Sequence, residues 1–209
     1  MLTSHVLLIV LALWSSSPTT HADQEQQPAT QLEIRLASGT PLEQRGREQL
    51  ERILAKWDLS RWLFTRKAQI QSRVIPHSHP VLTLSTQYVD DDNDHRQLAT
   101  FLHEQLHWLL ADDKPNAAIA DLERLYPKVP ESLPEGANGR RSTYLHLLIC
   151  LLEFDAVRSL LGEDAARKIL SGYNHYTWVY REVLERPEPI WKVLRTHGFD
   201  APDARRKSD

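Results

Sequence analysis

Two histidines four residues apart, with a glutamate beside the first, stand out in His103-Glu104-Gln105-Leu106-His107. On a helix, side chains four apart share one face, with Cβ atoms about 5–6 Å apart. Two imidazole nitrogens so placed reach a single metal ion, each at about 2.0–2.1 Å if the metal is zinc. Glu104, one residue round from the first ligand, reaches a water on that ion without binding the ion itself. Zinc lowers the pKa of such a water to about 7, and the carboxylate takes its proton as the water attacks a polarised carbonyl. The spacing predicts metal-assisted hydrolysis, on two conditions. The segment must be helical, and a third ligand must arrive from elsewhere.

The helical condition is met by pattern. From Leu98 to Ala111 the chain carries Leu98, Phe101, Leu102, Leu106 and Leu109 at helical spacing, with no Gly or Pro. A helical HExxH segment resembles the active-site helix of the zincin metallopeptidases. That resemblance covers residues 81–180 and implies a zinc-dependent peptidase with Glu104 as general base.

The third ligand defines the subgroup. Ser142 to Val157 reads as a very apolar helix capped by Ser142 or Thr143, with His146, Cys150, Glu153 and Val157 on one stripe. Glu153 has no cationic side chain three or four residues away on that helix. A carboxylate buried without a partner is costly, so a cation from another element is expected to meet it. A double-His motif with a glutamate from a downstream helix resembles the gluzincins, which makes Glu153 the expected third ligand. Two alternatives stand beside it. His146 lies two turns earlier on the same stripe. Asp113 follows His103 by the interval of the extended metzincin-type motif, although Leu110 stands where that motif needs a glycine. Zincins also need a donor to the developing oxyanion. The segment Ser171–Tyr180 supplies His175, Tyr176 and Tyr180 as candidates, which otherwise read as ordinary core aromatics.

Other polar clusters carry less. His77 and His79 lie between Pro76 and Pro80 and read as an exposed turn. The acidic run Asp90–Asp94 precedes the motif helix, where carboxylates favour the positive end of the helix dipole. Cys150 is the only cysteine, so no internal disulfide forms, and its apolar flanks predict an inert thiol.

The elements that must position this chemistry follow in order. Residues 31–36 alternate as a half-buried strand, and Thr40-Pro41 opens a helix running to Trp57. Residues 63–70 and 81–86 are further strands, the second being the best in the chain. Beyond the motif helix come a short helix over 117–126, a Pro/Gly-rich loop over 127–140, the apolar helix over 142–157, a helix opening after Gly172 and running to Leu184, and a last one after Pro187. The expected fold is α+β. A small antiparallel or mixed sheet packs on the motif helix, and a mainly helical C-terminal half follows. By the zincin resemblance, the strand 81–86 would be an edge able to pair with an extended substrate.

The 209 residues suffice for one domain, expected over 31–200, with a flexible leader at 23–30 and a loose tail at 201–209. The run Val6–Trp14, with small residues around Ala22, predicts a signal peptide over 1–22, although its start lacks Lys and Arg. No later segment is apolar enough to span a bilayer, so a secreted or periplasmic protein is expected. A net charge of −3 does not imply a nucleic-acid partner. The expected partner is a peptide or protein substrate. A zinc protein without catalysis, or a helical interaction protein with an accidental motif, are the alternatives.

Overall fold

A computed structural model describes residues 32–89 and 93–199. The predicted signal peptide, leader, tail and most of the acidic run fall outside them. Three short strands, β1 (Glu33–Leu36), β2 (Lys67–Gln71) and β3 (Leu82–Ser85), lie in that order in one sheet. Helix α1 (Pro41–Lys56) connects the first two. Its start is a capping box: Thr40 Oγ1 accepts from the Glu43 amide, and Glu43 reaches back to the Thr40 amide. Glu43 also accepts from the Ser38 and Ser72 amides, so one buried carboxylate ties the helix to the ends of β1 and β2. Burial pushes its pKa up, but these backbone donors outweigh that and hold it below the ordinary range. Gly46 lets α1 settle on the sheet, because a Cβ there would stand 2.8 Å from Ile70 Cγ2.

The sheet is parallel throughout, β1 with β2 and β2 with β3, and so neither antiparallel nor mixed as the sequence suggested. Each connection explains why. The α1 crossover returns the chain to the starting end of the sheet. The 72–81 connection is also long enough to return, turning at Arg73 with φ of +58°. On its way it lays His77 antiparallel against the free edge of β3. The two residues exchange both backbone bonds, His77 N to Thr83 O at 3.1 Å and Thr83 N to His77 O at 2.7 Å. At Thr83, the edge expected to receive substrate is already paired.

Helix α2 (Asp94–Leu109) carries the motif. Asn93 caps it by accepting from the Arg96 amide, and Asp94 in its first turn pairs with Arg52 of α1. Gln105, fully buried, accepts from the Phe64 and Thr65 amides and donates to the Thr65 carbonyl. The helix is thereby fixed against the segment entering β2. Beyond α3 (Asn116–Leu125), α4 (Arg140–Leu161) runs through the centre of the helical half, buried on nearly every side from Thr143 to Val157. It starts at Arg140 rather than at a Ser142 or Thr143 cap. Thr143 lies inside it and accepts from the Ala137 amide, bracing the preceding loop. Three helices close over it: α5 (Glu163–Ser171), α6 (Thr177–Glu185) and α7 (Pro187–Thr196). No described helix is long and apolar enough to cross a membrane.

Candidate metal centre

Helix α2 crosses α4 so that His103, His107 and His146 face one another. Their ring centroids stand 5.2 Å (His103–His107), 5.6 Å (His103–His146) and 5.2 Å (His107–His146) apart. One ring nitrogen from each lies within 4.8 Å of the others. Donors round one tetrahedral zinc stand about 3.3 Å apart, given Zn–N bonds of about 2.0–2.1 Å. A small inward rotation of the rings would close that gap.

The hydrogen bonds occupy Nδ1 in two of the rings. His103 Nδ1 donates to Glu153 Oε2 at 2.8 Å, and His146 Nδ1 donates to the Ser142 carbonyl at 2.7 Å. Nε2 of each ring is left over. The His107 ring makes no hydrogen bond among the described residues. A carboxylate or carbonyl behind a histidine is the usual support for a metal ligand, because it fixes tautomer and orientation.

Glu153 thus meets a cation from another element, as its burial demanded, but that partner is the back of the His103 ring. It forms a second group with His103 and Cys150, whose ligand atoms also lie within 4.8 Å of one another, and the two groups share only His103. Its Oε2 also accepts from Tyr180 Oη at 3.0 Å, which commits that hydroxyl. Cys150 is fully buried, and burial pushes its thiol pKa up, away from the thiolate a metal would want. Asp113 is exposed and accepts from Asn116 at the start of α3, and it joins neither group. Leu110 ends α2 with its amide still bonded to the Leu106 carbonyl, so the chain does not turn back toward the histidines there. His79 stacks on Trp108 at 4.3 Å, and His77 is held by the β3 edge; neither joins a ligand group.

The electrostatics sort the three rings. Burial, then the charge at His103, lowers the pKa of His107 to about 2 and that of His146 to about 3. Both are neutral imidazoles near pH 7, the form that binds metals. Burial also opposes charge on His103, but the Glu153 carboxylate outweighs it and raises its pKa well above the ordinary value. Glu104, 6 % exposed, makes no side-chain hydrogen bond among the described residues. Burial lifts its pKa to about 7, with the His103 charge pulling the other way.

Glu104 and His103 open onto a cleft of about 540 Å³. One wall is the start of α6. Tyr176 there adopts a left-handed conformation with φ of +53°, strained for a residue with a side chain. The 127–139 loop holds it so, because the Pro134 and Glu135 carbonyls accept from the Thr177 and Trp178 amides. The Tyr176 ring then lies 4.4 Å from His146 and 6.3 Å from His103. His175 stands 4.9 Å from Tyr176, its pKa lowered by burial to about 4. The cleft is also lined by Tyr88, Arg96, Thr100 and Tyr173, none of which the sequence singled out. Arg96 and Thr100 precede His103 by seven and three residues, so the motif helix's own stripe was the signal for them.

The chain matches no family model, and comparison with curated proteins and with solved structures gave no match.

Proposed function

We propose that this protein is a zinc-dependent hydrolase of peptide bonds, with His103, His107 and His146 holding the metal. The convergence of three imidazoles beside a free buried carboxylate carries this reading. Zinc in that position supplies a Lewis acid for the scissile carbonyl and an acidified water. Glu104 takes the proton of the attacking water and passes it to the leaving amine. Glu153 anchors His103 from behind, and Tyr180 anchors Glu153. Tyr176, with His175 beside it, donates to the oxyanion that forms on the substrate carbonyl. The cleft is within the usual size of a small-molecule or peptide subsite. The covered edge at Thr83 directs an extended substrate along the cleft walls rather than onto β3.

The test is metal content together with turnover. Purified protein should hold one zinc per chain and cleave a proteome-derived peptide mixture. Glu104→Gln should retain the zinc and lose cleavage. A chain without stoichiometric zinc would overturn the metal reading, and zinc without cleavage in the parent would leave a non-catalytic zinc protein. Cobalt substitution separates the two ligand groups, since only the one containing Cys150 gives thiolate-to-metal charge transfer.

A further inference from the structure

The lining of the cleft holds a guanidinium that the chemistry so far does not use. Arg96 lies on α2 two turns before His103, with Thr100 between them, and all three line the cleft. Seven residues bring a helix back to nearly the same face, displaced by about 10 Å along its axis. The Arg96 guanidinium sits between two tyrosines, its Cζ 5.9 Å from the Tyr88 ring and 5.9 Å from the Tyr173 ring. Its side chain donates to the Gly172 carbonyl at 3.4 Å and toward the Tyr88 hydroxyl. Among the described residues no carboxylate pairs with it. Of the two buried acids of the cleft, Glu153 is taken by His103 and Tyr180, and Glu104 forms no ion pair with Arg96. Gly172 leaves room for the guanidinium, because a Cβ there would stand 3.1 Å from Arg96 Nη2. The Tyr173 hydroxyl in the same lining is buried and lacks a hydrogen-bond partner.

An arginine braced by aromatic rings, with most of its donors unspent, is suited to a planar two-oxygen anion. We infer that Arg96 is a carboxylate-binding subsite of the cleft, which makes the preferred substrate a peptide with a carboxylate close to the bond that is cut. This rests on the peptidase reading above. The carboxylate is either the free C-terminus of the substrate or an Asp or Glu side chain.

Peptide hydroxamates test this without turnover, because the hydroxamate binds the metal while the peptide lies along the cleft. Four probes of equal length are titrated calorimetrically into the zinc-loaded protein. They end in a free carboxylate, a carboxamide, an Asp amide and an Asn amide. The free acid or the Asp amide should bind about tenfold more tightly than its neutral partner, and whichever does so identifies the source of the carboxylate. In Arg96→Gln the preference should vanish, while the carboxamide probe still binds and so shows an intact site. Equal binding of acid and amide by the parent, or a preference that survives Arg96→Gln, overturns the inference alone. Failure of every probe to bind overturns it together with the metal reading.

Discussion

Truncating His146 and neutralising Glu153 should weaken zinc binding by different amounts, and the order of the two losses tests the assignment of the third ligand. Tight zinc sites gain about 10–16 kcal/mol in all, or about 2.5–4 kcal/mol for each of four ligands. His146→Ala removes one whole ligand, so affinity should fall by about a hundredfold to a thousandfold. Glu153→Gln keeps an oxygen where Oε2 accepts from His103 Nδ1 at 2.8 Å and loses only the charge behind the ring. Loss of such a support costs about tenfold to a hundredfold. Tyr180→Phe, one bond further back, should cost less again. Competition against a chromophoric chelator at one fixed pH measures all three. If Glu153→Gln costs more than His146→Ala, or His146→Ala leaves affinity unchanged, Glu153 and not His146 is the ligand. The double variant adds a check. His146 and the His103 ring that Glu153 supports would share one ion, so the two losses should couple rather than add, and strict additivity would speak against a shared site.

Tyr176→Phe should lower kcat by about a hundredfold or more with little change in KM, as for loss of an oxyanion donor, and steady-state kinetics on the best peptide substrate would show it. Equal loss from Tyr180→Phe at saturating zinc would remove the distinction between the two tyrosines. Gln105→Ala leaves the part-buried Thr65 amide and carbonyl without partners and the Phe64 amide with the Trp62 carbonyl alone, which should destabilise the fold by about 3 kcal/mol. Thermal unfolding should then fall by about 6–12 °C, and an unchanged midpoint would show that water replaces the amide at no cost. Glu43 gives a pH signature. Its folded pKa is depressed, so its contribution is complete above the unfolded value of about 4.3 and is lost as pH falls through the folded value. Unfolding free energies of Glu43→Gln from urea titration should sit about 2 kcal/mol below the parent at neutral pH and converge with it in acid, and a constant gap would contradict the role given to that carboxylate.

What the sequence revealed and what it hid divide along the range of the interactions involved. The motif helix, the Thr40-Pro41 helix start and the strands at 33–36 and 82–85 depend on neighbours within a turn or a strand, and periodicity captured them. Helix α5 was overlooked, although Glu163 and Asp164 at its start and Ile169 and Leu170 on its buried side follow the ordinary pattern. Strand direction was misjudged because it depends on where a connection returns, and neither the α1 crossover nor the 72–81 segment marks that end in its composition. The third ligand illustrates the same limit more sharply. His146 and Glu153 are seven residues apart on α4, so both face α2, and local pattern cannot tell which meets the front of His103 and which the back. That choice is made by the axial register of α2 against α4. Long-range contacts set that register, among them Gln105 against the Phe64–Thr65 backbone on one helix and the Tyr144 hydroxyl donating to the Tyr126 carbonyl on the other. Sliding α4 by one turn, about 5.4 Å, would carry Glu153 toward the position His146 now holds. The chemistry of the site is therefore coupled to two polar anchors that touch neither histidine, and loosening either anchor should change metal affinity as well as stability.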